Sequence, residues 1–133
     1  MVILIDDYSE EYHKATNLCR VAAKLWRCGL RDDAYRAFDE SLRVISSLNK
    51  PRELEGYIKL ALEWFGKVGA DNLIDRLHRF IVDHMDRCSR QAYFRVLRDI
   101  FVYKFRKLLS EGDTAKAIDF LDEIFDKYGD FNI

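Results

Sequence analysis

The chain has one proline, six glycines and three cysteines in 133 residues. With so few breakers, long helices can run almost uninterrupted. Cys19, Cys28 and Cys88 are odd in number and show no paired spacing, so nothing marks a disulfide framework. They read as reduced thiols of a cytoplasmic protein. Charge of one sign is also missing: 22 Lys and Arg stand against 23 Asp and Glu. No global field therefore draws the chain to nucleic acid or to an anionic membrane, and such binding would need a local patch. No apolar run approaches the roughly 20 residues of a membrane span. The opening Met1-Val-Ile-Leu-Ile-Asp-Asp lacks the basic start and the length of a signal peptide. Side-chain amides are scarce beside the charges, a bias that resembles heat-adapted proteins. No glycine-rich phosphate loop and no marked catalytic pair is found, so the expectation is a non-enzymatic protein without cofactor or metal. His84 and Cys88 sit four apart on one helix face, but two ligands without a second pair make a weak metal site.

What is present is helical periodicity. Hydrophobic residues make up 49% and charged residues 34%, the balance of a single soluble globular domain. Residues 1–8 read as an N-terminal arm, in which Val2 to Ile5 is a short β segment or an extended strap. Residues 9–129 form the domain and 130–133 a tail. Ser9, followed by two acids, starts a first helix whose stripe is Ala15, Leu18, Cys19, Ala22, Leu25 and Trp26. Gly29 stops it. A second helix opens at Asp32-Asp33 and carries Ala34, Phe38, Leu42, Ile45 and Leu48. Pro51 begins a third, 51–68, with Leu54, Ile58, Ala61, Leu62, Phe65 and Val68 inward. Asp71 or Asn72 caps a fourth, with Leu73, Ile74, Leu77, Ile81 and Met85. Ser89 caps a fifth, with Tyr93, Phe94, Leu97, Phe101, Phe105 and Leu108. Asp113 or Thr114 starts a sixth, with Ala117, Ile118, Leu121, Ile124, Phe125 and Tyr128.

Gly29, Gly69 and Gly112 mark three corners, 40 and 43 residues apart. Aligned on them, Leu25, Phe65 and Leu108 share one column, as do Ala22, Leu62 and Phe105. Ala34, Ile74 and Ala117 share a third. His78 breaks the column of Phe38 and Leu121, so the fourth helix is expected to turn by one residue and use Leu77. Ala22, Leu25, Gly29, Ala34, Phe38 and Leu42 together are similar to the tetratricopeptide repeat pattern, in which helix A ends at a glycine and helix B presents an alanine and an aromatic. The second and third copies match at the glycine and in apolar character, with a longer period. The fold class expected is all-α. Three antiparallel helix hairpins stack as a short TPR-like right-handed solenoid, or as a plain helical bundle with the same periodicity.

The resemblance implies a non-catalytic adaptor that binds a protein or peptide along its A-helix face. The candidate partner-binding residues there are Arg20, Trp26, Arg27, Lys59, Lys67, Tyr103 and Arg106. Trp26 lies at the stripe's edge, where a large aromatic serves either as a binding anchor or as core. The fifth helix holds Arg90, Arg95, Arg98, Lys104, Arg106 and Lys107, while the sixth is acidic. A basic inner wall favours an acidic segment or a terminal carboxylate. The competing assignment for the same helix is a nucleic-acid-binding module. The asparagine pair of the chaperone-binding carboxylate clamp is absent. A terminal repeat or the Val2–Ile5 arm offers a route to a homodimer, since short arrays leave open ends.

Overall fold

The computed structural model describes residues 8–47, 50–84 and 90–128, and among them every regular element is an α-helix. The helices are α1 (Glu10–Arg27), α2 (Arg31–Ser46), α3 (Pro51–Val68), α4 (Asp71–Asp83), α5 (Arg90–Ser110) and α6 (Thr114–Tyr128). Residues 1–7 of the arm, the tail at 130–133, Leu48, Met85 and the proposed Ser89 cap lie outside the described residues, as do the side chains of Tyr93, Phe125 and Tyr128.

Each turn between paired helices is built the same way. Gly29, Gly69 and Gly112 have φ of 83°, 68° and 75°, the left-handed region that glycine enters without a Cβ clash. The residue after each glycine donates its N–H back to the carbonyl five positions earlier: Leu30 to Leu25, Ala70 to Phe65 and Asp113 to Leu108, at 3.0, 2.9 and 3.0 Å. The glycine N–H bonds to Trp26, Gly66 or Leu109 in turn. These are three Schellman corners, and the Leu25–Phe65–Leu108 column supplies the carbonyl that each requires.

The starts differ more. Ser9 caps α1 as expected, accepting the Tyr12 N–H at 3.2 Å. Asp113 caps α6 through the Lys116 N–H at 3.2 Å. The start expected for α2 at Asp32-Asp33 and the cap expected on α4 are corrected. Leu30 and Ala70 hold those N-cap positions without side-chain bonds, and Asp32 and Asp71 fall inside the first turn. At these two corners the helix begins two residues after the glycine, so the apolar residue between them takes the N-cap position.

α1 lies against α2 and α3; α3 lies against α4 and α5; α5 lies against α4 and α6, with a smaller contact between α2 and α4. Two interior glycines set how closely α3 meets its neighbours. A Cβ on Gly56 would stand 3.3 Å from the Tyr12 hydroxyl of α1, and one on Gly66 would stand 2.9 Å from the Tyr103 ring of α5. Each tyrosine therefore lies on bare α3 backbone.

The core runs through all six helices, with Phe38 and Phe65 meeting edge to face at 4.8 Å. Most expected stripes are buried, and Leu77 is buried while His78 packs edge-on against Phe101 at 5.4 Å. Three details depart from the pattern. Tyr12, Tyr57, Phe80, Val96 and Ile100 are core residues that the stripes omitted. Leu18, Leu25, Leu42, Leu62, Val68, Phe94, Phe105 and Leu108 are only half-buried. Ile118, expected inward, is 54% exposed, because among the described residues no helix packs on that side of α6.

Candidate functional site

The A-helix positions were singled out for a partner, and the structure divides them. Trp26 is 5% exposed; it meets Tyr35 edge-on at 5.6 Å and is roofed by the Arg31 guanidinium at 3.9 Å. It therefore lies in the core of the first hairpin, not on an open face. Arg20 and Arg27 are exposed on α1, and among the described residues neither makes an ion pair.

The other four come together in the cleft between α3 and α5. One depression of about 690 Å³ is lined by Gly66, Asp99, Val102, Tyr103, Arg106 and Ser110, among others. An adjoining one of about 410 Å³ is lined by Lys59, Leu62, Glu63, Gly66, Lys67, Asp99 and Tyr103. Tyr103, Gly66 and Asp99 belong to both and make them one groove. Its floor is apolar: Leu62, the bare backbone at Gly66, Val102 and the tyrosine ring. Burial pushes the Tyr103 phenol above its ordinary value, so it stays protonated and donates to Asp71 Oδ1 at 3.2 Å. The rim carries both signs. Lys67 pairs with Glu63 at 3.2 Å and Lys59 with Glu55 at 3.6 Å, whereas Arg106 makes no ion pair among the described residues. The sequence reading missed Leu62, Gly66 and Asp99 as lining residues. The signal available for Gly66 was a glycine inside a long helix, which costs about 1 kcal/mol of helix propensity and so marks a close approach.

The basic wall expected on α5 is mostly a seam between helices. Arg95 grips Glu55 of α3 with two bonds, at 2.9 and 3.0 Å. Lys104 reaches Asp75 of α4 at 2.9 Å, and Lys107 is bonded to Asp71. These cations hold α5 onto α3 and α4. Arg90's side chain lies outside the described residues. The Arg95 hydrogen bond holds the Glu55 carboxyl below its ordinary value. A carboxyl depressed on folding stabilises the protein above its unfolded pKa of about 4.3, and that contribution fades as pH falls through the lower folded value. Glu55→Gln is thus expected to lose on the order of 1 kcal/mol at pH 7, after discounting for the exposed guanidinium, and less than that relative to wild type at pH 2. Urea titrations at the two pH values check this; an equal deficit at both would reject it.

One polar cluster is fully buried. Cys19 donates its thiol proton to the Tyr57 oxygen at 3.1 Å, and Ser41 donates to the Ala15 carbonyl at 2.6 Å. The Tyr57 and Ser41 hydroxyls are 2.7 Å apart, so a Tyr57-to-Ser41 bond completes a chain in which each proton has an acceptor. Burial pushes the Cys19 thiol up to about 12 and the Tyr57 phenol well above its usual value. A thiol so protonated is no nucleophile. The cluster ties α1, α2 and α3 together.

Among the described residues no three His, Cys, Asp or Glu side chains are placed to hold a metal, and Cys88 lies outside them. The His84 Nδ1 lies 2.9 Å from the Phe80 carbonyl, and its ring stacks on Phe80. No described helix is long and apolar enough to cross a membrane. Comparison with known protein families, curated proteins and solved structures finds no match.

Proposed function

We propose that the chain is a non-catalytic interaction module, a short TPR-like right-handed stack of three hairpins that binds a protein or peptide segment in the groove between α3 and α5. The observation that carries this reading is the groove itself: an apolar floor around Tyr103 and Gly66, with Arg106, which makes no ion pair among the described residues, on its rim. Tyrosine and arginine at the centre of an apolar patch are the residue types that dominate binding energies. The repeated Schellman corner and the A-helix contacts of α1 with α3 and of α3 with α5 support the stacked arrangement. The segment that fits has an apolar side chain for the floor and a carboxylate for Arg106, which grips it in bidentate fashion.

The pairing of Arg95, Lys104 and Lys107 weighs against the nucleic-acid reading of α5, because cations already neutralised have little to release to phosphate. Panning a displayed library of acidic and of scrambled-charge peptides against the whole chain tests the proposal. Acidic, apolar peptides should be enriched, and Tyr103→Ala and Arg106→Glu should each weaken them about tenfold or more, which is 1.4 kcal/mol. Arg36→Glu on the exposed side of α2 should not. Equal binding by all variants, or preferential binding of RNA or DNA with a steep salt dependence, would overturn it.

A further inference from the structure

We infer that copies of this chain stack end to end, the last hairpin of one receiving the first hairpin of the next as though the repeat continued. The inference takes its register from the stacked-repeat reading and is independent of the groove.

The argument starts from the columns. Fifteen, twelve and eight residues before the corner glycines, α3 carries Leu54, Tyr57 and Ala61, all buried. At the same columns α5 carries Leu97 and Ile100, both buried, and Lys104, which meets α4. On α1 those columns hold Lys14, Asn17 and Val21, and all three are exposed. The face that α3 and α5 bury thus lies exposed on α1, against which no described helix packs at these positions.

The opposite end is open at the matching place. Asp75, six residues after Gly69, is the α4 residue that meets Lys104 at 2.9 Å. The same column on α6 is Ile118. The internal junction between α4 and α5 therefore pairs this column with the one eight before the next glycine. On the last and first described hairpins those columns hold Ile118, 54% exposed, and Val21, 46% exposed. An ion pair inside the molecule is replaced by two apolar residues left in water at its ends. Among the described residues the large exposed hydrophobics, Val21, Leu30, Leu109 and Ile118, all belong to the first and last hairpins.

Charge selects the occupant. Inside the chain, acids on α4 (Asp71, Asp75) meet bases on the following α5 (Lys107, Lys104). At the open end α6 exposes Asp119, Asp122 and Asp126, and the open stripe of α1 offers Lys14 and Lys24, the latter in the column of Lys107. A second copy's α1 satisfies both the apolar pair and the sign of the charges. Such a contact joins two different surfaces, so it does not close on itself as a two-fold dimer would, and it grows by addition.

Sedimentation and light scattering over a wide concentration range test this. Wild type should rise in mass above the 15.8 kDa monomer and past the dimer as concentration increases. Val21→Asp, which sets an acid against the acidic α6, and Ile118→Lys, which sets a base against Lys14 and Lys24, should each stay monomeric with unchanged helical content. The double variant, which places the new acid opposite the new base, should regain assembly. Arg106→Glu, on the exposed rim of the groove, should assemble as wild type, so the two readings fail separately. A wild type that is monomeric throughout, or one that stops at a dimer, would overturn the inference. So would single variants that assemble normally, or a double variant that stays monomeric.

Discussion

Phe65→Ala is expected to cost about 3–5 kcal/mol, the range for truncating a buried phenylalanine. Phe65 is fully buried, and its ring meets Phe38 at 4.8 Å, where α3 faces α2. It also stands four residues before Gly69, and its carbonyl closes the corner by accepting the Ala70 N–H. Alanine keeps that backbone bond, so the loss is a loss of packing: the cavity, the ring contact and the transfer of the side chain from water. Since domains of this size are stable by only about 5–15 kcal/mol, the variant should lose a large share of its resistance to urea. Phe65→Leu, which keeps most of the volume, should cost less than half as much. Urea unfolding followed by circular dichroism gives both numbers. A loss below about 1 kcal/mol for alanine would mean that Phe65 is not packed against Phe38 in the core.

Glu53→Ala should cost about 2–3 kcal/mol, a large effect for a polar side chain. Glu53 is 3% exposed in the first turn of α3, yet its carboxylate bonds to α1, taking the Ser9 N–H at 2.6 Å and the Ser9 hydroxyl at 3.0 Å. In a capping box, the acid three residues into a helix returns to the cap's own N–H. That position in α1 is Tyr12, and Glu53 supplies the acid from another helix. Removing it strands a backbone donor and frees the hydroxyl that caps Tyr12. Glu53→Gln, which retains one acceptor, should fall between. Ser9→Ala and Glu53→Ala share these bonds, so a double-mutant cycle should return a coupling of about 1 kcal/mol or more. Strict additivity would show that the two residues act apart.

These two sites differ in how visible they are in the sequence. Phe65 was legible because it repeats: its distance from a glycine that must take positive φ is that of Leu25 and Leu108, and local backbone geometry dictates the column. Pro51 at the start of α3, Ser9 as a cap and the three corners were legible for the same local reason. The Glu53–Ser9 bond spans 44 residues, and nothing in either neighbourhood announces the other. The helix-five cations were misread as a free wall for the same cause. Their partners Glu55, Asp71 and Asp75 sit on other helices, and pairing across helices leaves no short period in the chain. Tyr57 was missed because a tyrosine among apolar positions reads as a boundary residue, whereas here Ser41 and Cys19 satisfy its hydroxyl inside the core. The α3–α5 groove was half-legible: its cations and Tyr103 could be assigned to the A-helix face, but its floor depended on how closely two backbones approach.

That approach bears on how the chain folds. The interior glycines of α3 that seat Tyr12 and Tyr103 each weaken the helix by about 1 kcal/mol in isolation. The central helix is therefore a poor one until a ring arrives on each side, one from α1 and one from α5. Ordering α3 and docking its neighbours become a single event, and the nearest-neighbour coupling between units is strong relative to what each holds alone. The chain is then expected to unfold in one transition, without a stable half.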